Sequence, residues 1–424
     1  MKRLLAIFQF LALICLPVSL YAQENIHHDM KVVIDPEKHW IDIEDTITLP
    51  DSFFNVGGGE VHFIIHKGLQ PVSNTEGVAI THYEDKAQSS QSETNSNSIF
   101  QPNNEMLEHY IVALPVDVRT FIVKYNGEIH SPLQKQKEES DRSFSETSGI
   151  ISSNGIYLAS SSYWYPWFSD DLVTFSMKVH LPQGWKAISQ GERTREESIV
   201  AGWKSQYPQD EIYLIAGKFT EYSRQAGSVQ TLVFLRNPDE KLANKYLETG
   251  SQYLKMYSKL LGPYPYKKFA LIENFWQTGY GMPSFTLLGS KIIRFPFILH
   301  SSYPHEILHN WWANGVFVDL SSGNWGEGLT AYLSDHLIKE QRGQGKEYRR
   351  TTLQKYTDYA AESKDFPLTE FRSRHSSATE AVGYGKTLMF FHMLRLQLGD
   401  KVFIKGLQKF YQEFKFKRAA FENL

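Results

Sequence analysis

His305-Glu306-Ile307-Leu308-His309, followed by Asn324-Trp325-Gly326-Glu327-Gly328, is the stretch on which the reading of this chain turns. On a helix, residues four apart share a face, so His305 and His309 can aim ring nitrogens at one ion about 2.0–2.1 Å away. Glu306, beside the first histidine, stands over the open coordination position and can take a proton from the attacking water. A catalytic zinc needs a third side chain. Glu327, separated from His309 by residues 310–326 and opening a second helical pattern over 327–339, is the best-placed donor. Asp319 sits in the hydrophobic run 316–320, and Asp335 and Glu340 lie further along the second helix, so none of them is as well placed. A chance H-E-x-x-H arises in roughly 0.03 chains with 15 His and 47 acids. The competing readings are an ordinary i,i+4 polar pair for the histidines and, for Glu327, an acid favouring a helix N-terminus.

Composition narrows the field. Lys2 and Arg3 precede an apolar run over 4–20, broken by Gln9 and Pro17 and ended by Tyr21-Ala22 before Gln23, which reads as a secretion signal over 1–22. The run is short and interrupted for a membrane span, so no transmembrane helix is expected in the mature chain, with an uncleaved anchor as the alternative. Cys15, the one cysteine, falls inside it behind Ile14, where a lipoprotein signal wants a small residue. Without that segment the protein has no disulfide and no cysteine nucleophile. A closed structural zinc site is disfavoured too, because such sites draw four ligands from Cys and His. The net charge of −3 comes from interspersed acids and bases with no basic cluster, which argues against nucleic acid as a partner.

From residue 30 to about 222 the chain alternates short apolar or period-2 runs with turn residues: 31–34, 40–49, 61–65, 110–114, 121–125, 174–181 and 213–216. This predicts a β-rich domain over 23–225, interrupted by polar insertions at 84–104 and 134–148. The aromatic run 163–168 is expected either in the core at a sheet edge or in a cleft wall. After Arg236 the period changes. Leu247, Leu254, Tyr257 and Leu261 suit an amphipathic helix over 242–261 ended by Gly262-Pro263. A strand over 269–274 and the glycine-rich 279–285 follow. Helices are then expected after Pro304, from Glu327, over 376–398 and over 400–414, making 226–424 a second, mainly helical domain.

The metal motif, the glycine-rich segment before it and Tyr384-Gly385-Lys386 after it stand in the order seen in aminopeptidase N and leukotriene A hydrolase. The chain resembles that family of gluzincin zinc metallopeptidases over nearly its whole length. Residues 28–36 and 43–48 look like the family's opening strands. The resemblance implies an α+β protein: an N-terminal saddle-like β-sandwich on a thermolysin-like catalytic domain, with one Zn2+ per chain. It implies His305, His309 and Glu327 as ligands, Glu306 as general base and Tyr384 as the hydroxyl facing the oxyanion. Gly281, Met282, Pro283 and Ser284 become the substrate-binding segment. From the sequence alone, Tyr384 is otherwise one of 23 tyrosines and reads as a buried structural one.

Three departures stand out. The family usually has one more residue between the second histidine and the glutamate, a change cheap to absorb in a connection. Pro283 occupies the place of the family glutamate that holds the substrate's amino terminus, and Glu273 is the acid near it in sequence. The resemblance also stops at Leu424, before the closing helical domain of longer members, consistent with a short subtype or a truncated chain. The expectation is therefore an exported zinc metallopeptidase acting on oligopeptides, aminopeptidase-like, by zinc-assisted attack of water. The alternatives are a zinc hydrolase of a non-peptide amide, ester or epoxide, and a catalytically weak peptide-binding protein.

Overall fold

The computed structural model describes residues 25–54, 59–83, 106–135, 145–169, 171–360 and 364–424. The secretion signal expected over 1–22 and the polar insertion expected over 84–104 lie outside these residues. So does 136–144 of the second insertion, whose flanks 134–135 and 145–146 pair as short antiparallel strands.

A seven-stranded sheet dominates the first domain, in the order Glu192–Glu196, Val200–Gln209, Val173–His180, Ile26–Asp35, Trp40–Thr48, Thr120–Glu128, Val72–Ser73. Alternation explains the first strand: Met30, Val32 and Ile34 are buried while Lys31 and Val33 face outward. It pairs antiparallel with Trp40–Thr48 and parallel with Val173–His180. Smaller three- and four-stranded sheets complete the domain.

A second sheet carries the site. Its order is Thr220–Ala226, Val229–Leu235, Lys268–Asn274, Phe285–Gly289, Gly279–Met282. Both faces are covered. Leu232, Phe234, Ala270 and Ile272 join the core of the first domain, whereas Val233, Leu235, Phe269 and Leu271 join the helical core. The period-2 pattern thus divides one apolar run between two cores. The first two strands form a hairpin that the sequence reading did not anticipate, and a join at 225/226 falls inside Thr220–Ala226. All partners of that strand belong to the second sheet, so sheet membership changes at 218–219 instead.

Glu240–Leu261 is the long helix expected over 242–261. Asp239 caps it, accepting a hydrogen bond from the Leu242 N–H at 2.9 Å, and Gly262 ends it. Gly250 sits in its middle because a Cβ there would lie 2.5 Å from the Tyr303 hydroxyl. This lets the long helix approach the metal helix, Ser302–Leu308, at a propensity cost of about 1 kcal/mol. That metal helix opens at Ser302, ahead of Pro304, since proline is tolerated in a first turn, where its missing N–H lacks a helical acceptor anyway.

The expected helices from Glu327 and over 376–398 are present, each with a π segment inside it: Tyr332–His336 and Ala381–Lys386. Gly345–Tyr359 is a helix that the sequence reading missed; among its residues only Gly345 is buried, so it shows little apolar stripe. Asp400–Phe414 packs Phe403, Leu407, Phe410 and Tyr411 inward. Near the C-terminus, Arg418–Ala419 pairs in parallel with Phe317–Val318, in the connection between the metal helix and Glu327, and the Trp325 indole donates to the Ala419 carbonyl at 2.8 Å. Among the described residues no helix is long and apolar enough to cross a membrane.

Candidate metal centre

The metal helix runs to Leu308, and His309 keeps helical angles just beyond it, so His305 and His309 stay on one face with ring centroids 4.8 Å apart. Glu327 reaches them as the third residue of the helix that Asn324 caps. Its Oε2 stands 3.5 Å from His305 Nε2 and 3.4 Å from His309 Nε2. The three donor atoms all lie within 4.8 Å of one another. Glu327 Oε2 is buried and accepts no hydrogen bond from any described residue. Two donors each about 2.0–2.1 Å from a tetrahedral ion stand about 3.4 Å apart, so this spacing and the N,N,O donor set suit one zinc ion.

The other ring nitrogens are already engaged. His305 Nδ1 lies 3.2 Å from Asp335 Oδ2, and His309 Nδ1 lies 3.1 Å from the Trp312 carbonyl. Each acceptor fixes the proton on Nδ1 and leaves Nε2 to the metal. Burial works against charge on His305, but Asp335, Glu327 and Glu306 outweigh it and hold its pKa well above the ordinary value. Burial likewise opposes charge on His309, and Glu327 outweighs it. Burial pushes Glu327 up, yet the two imidazoles bring it well below the usual carboxylate range. Glu306 ends above its usual value because burial dominates over the same imidazoles. A raised carboxylate suits a group that takes and returns a proton.

Tyr384 comes to the site from the π segment. Its ring is nearly parallel to that of His305 at 6.3 Å and meets Phe371 edge-on at 6.1 Å. Burial and the Glu327 charge push its phenol well up, against the opposing pull of Arg374. It is therefore a hydrogen-bond donor at neutral pH.

A cleft of about 720 Å³ opens over the metal residues, lined by Gly279 to Pro283 along one wall. Gly281 is required by a close approach, since a Cβ there would lie 2.6 Å from Glu306 Oε2 and 3.1 Å from His309 Cδ2. Met282 and Pro283 border the cleft as expected, but Ser284 does not. It is fully buried at φ 66, the second residue of the turn joining Gly279–Met282 to Phe285–Gly289. Glu273 is also elsewhere: its carboxylate takes the Arg294 guanidinium at 2.6 Å and the Arg236 N–H at 2.8 Å, and it does not line the cleft. Of the aromatic run, Trp164 and Tyr165 are core while Tyr163 and Trp167 border the cleft, so both expectations hold for different residues.

Sequence reading set Asp335 aside as a ligand without giving it an orienting role, and passed over Glu211. In a regular helix a residue eight places after Glu327 points about 80° away from it. The π segment takes up one residue and returns Asp335 to the metal side. Glu211 lines the first domain's side of the cleft, accepting from the Ser160 N–H and the Tyr213 hydroxyl. Its neighbourhood shows no signal beyond an acid before an apolar strand.

Two histidines on one helix and a glutamate from the next, beside a mixed sheet whose edge strand borders the cleft, form a group that could hold one zinc ion open to that cleft. Residues 300–424 match the peptidase family M1 domain, and the chain as a whole has the fold of M1 zinc metallopeptidases. One similar structure is a mutant M1 zinc metallopeptidase from Deinococcus radiodurans bound to a Tyr-Ser-Ala substrate (15% identity, TM-score 0.64, 95% of this chain and 90% of that one). Another is native yeast LTA4 hydrolase (14% identity, TM-score 0.63), of which the match covers 63% while taking in 94% of this chain. Among curated proteins, mitochondrial aminopeptidase 2 of Saccharomyces cerevisiae is 27% identical over 127 residues, a stretch that is 28% of this chain and 13% of that protein.

Proposed function

We propose that the protein is an exported zinc-dependent peptidase that hydrolyses oligopeptides at their amino-terminal end. The observation that carries this reading is the convergence of His305, His309 and Glu327 beside the buried carboxylate of Glu306, in a cleft walled by a sheet edge. Zinc held by those three would supply a Lewis acid for the scissile carbonyl and for the attacking water. Glu306 accepts the water's proton and delivers it to the leaving amine. Tyr384 donates to the carbonyl oxygen as negative charge develops there. Peptide lies along Gly279–Met282, whose glycines leave room for a backbone. With Pro283 in the turn and Glu273 paired elsewhere, Glu211 is the carboxylate we assign to the substrate's free amine. Export rests on the pattern over 1–22, and cell fractionation tests it.

Zinc content and peptide-library cleavage by wild type and Glu306→Gln test the whole reading. The expected result is one zinc per chain in both and loss of cleavage in the variant. Hydrolysis of small esters or amides without peptides would shift the assignment to a non-peptide hydrolase. Peptide binding without zinc-dependent turnover would make the protein a binder.

A further inference from the structure

Lys268 is 3% exposed, and its ammonium takes part in no ion pair among the described residues. The Nζ lies 2.8 Å from Ser284 Oγ and 3.3 Å from the Ser284 carbonyl, over the faces of Trp203 at 5.1 Å and Phe285 at 5.4 Å. Desolvating an amine so completely is costly unless its hydrogen bonds repay part of the loss. Burial, helped by Arg193, pulls its pKa well below the ordinary lysine value. Every one of those hydrogen bonds goes to a single residue.

That residue is held in a backbone conformation that disfavours side chains. Ser284 has φ 66, in the left-handed region where a side chain crowds the following carbonyl. Its N–H donates to Asn310 Oδ1 at 2.7 Å, its carbonyl accepts from the Ala270 N–H at 3.0 Å, and its hydroxyl and carbonyl meet Lys268. Asn310 follows His309 directly and donates to the Ile307 carbonyl at 3.0 Å, so it is tied to the metal helix. One turn is thus bolted to the sheet by Lys268 and to the metal helix by Asn310. The strand entering that turn is Gly279–Met282, which borders the cleft with Gly281 against Glu306.

We propose that Lys268 is a positioning residue for hydrolysis: through Ser284 and Asn310 it holds the edge strand Gly279–Met282 in register with the metal helix, so that a peptide paired along the strand presents its carbonyl beside Glu306. The role rests on the peptidase reading above. Trp203 belongs to the large sheet of the first domain, so the same clamp joins that domain to the cleft.

The test compares wild type with Lys268→Met, which keeps the length of the stem and removes the donors. Zinc content stays at the wild-type level. Turnover of a tetrapeptide, which spans the strand, falls roughly tenfold in kcat/KM, while a small aminoacyl anilide loses less than about twofold. Adding Ser284→Gly, which removes the hydroxyl left without its partner, lowers the tetrapeptide rate by less than about twofold more because the clamp is already open, and a further tenfold loss overturns the proposal. Equal losses on both substrates, or none, overturn the proposal. Hydrogen exchange over residues 279–284 decides it independently of turnover: faster exchange in Lys268→Met upholds the clamp and unchanged exchange overturns it. A wild-type protein that cleaves no peptide overturns the peptidase reading alone.

Discussion

Asp335 Oδ2 stands 3.2 Å from His305 Nδ1, so the carboxylate that orients the first metal-side imidazole comes from the same helix that supplies Glu327. A single rigid element therefore sets one ligand and the tilt of another. Asp335→Ala is expected to weaken zinc binding roughly 10–100-fold by competition titration with a chelating dye, with the far-ultraviolet spectrum unchanged. Wild-type affinity in the variant would remove the orienting role.

Tyr384 is expected to act on turnover and not on substrate capture. Its phenol meets the carbonyl oxygen only as charge builds, so Tyr384→Phe lowers kcat by roughly 10²–10³ and leaves KM within about threefold. Steady-state kinetics on one peptide is sufficient. A KM effect without a kcat effect would place the hydroxyl in ground-state binding.

Gly281→Ala inserts a methyl 2.6 Å from the Glu306 carboxylate. Both are held, Glu306 by its helix and Gly281 by pairing with Thr286, so the base must shift. Peptide kcat/KM should fall roughly tenfold or more while zinc content holds. Wild-type kinetics would show that Glu306 rotates away at no cost.

Glu211 is assigned to the substrate's amino terminus, and a charge-assisted hydrogen bond is worth about 1.5–3 kcal/mol. Glu211→Gln is therefore expected to shrink the kcat/KM preference for free over N-acetylated peptide by roughly 10–100-fold. An unchanged ratio would assign the amine elsewhere.

Acid sensitivity should have a component from the helical core. Burial brings the His336 imidazole down from 6.5 to about 4; Glu340 opposes this, and Arg349, His392 and Arg395 add to it. The unfolded chain binds this proton first, so the stability contributed by neutral His336 is complete above pH 6.5 and declines as pH falls toward 4. Urea midpoints measured across that range should drop less steeply in His336→Gln than in wild type.

Much of this was legible in the chain. H-E-x-x-H and Glu327 follow from the helical period, and Leu247, Leu254, Tyr257 and Leu261 marked the long helix because their burial repeats on one face. Asp335 was not legible, because a π segment alters the very period used to place it. The strands Thr220–Ala226 and Val229–Leu235 escaped for a different reason. The first has no buried residue, and the second is buried on both faces, so neither alternates cleanly. Ser284 stands apart from the cleft that Gly281, Met282 and Pro283 border, because adjacency in sequence does not survive a turn that sends the next side chain into the core.

The pairing of Arg418–Ala419 with Phe317–Val318 and the indole bond from Trp325 to Ala419 give metal capture a timetable. Translation delivers His305, His309 and Glu327 about ninety residues before the segment that pins the connection between them. A nascent chain holding all three donors has the third on a helix whose leading connection is not yet paired with Arg418–Ala419. The strand that closes the frame around the candidate metal centre thus comes from outside the stretch that carries its donors, and the last-made residues brace the first-made ones.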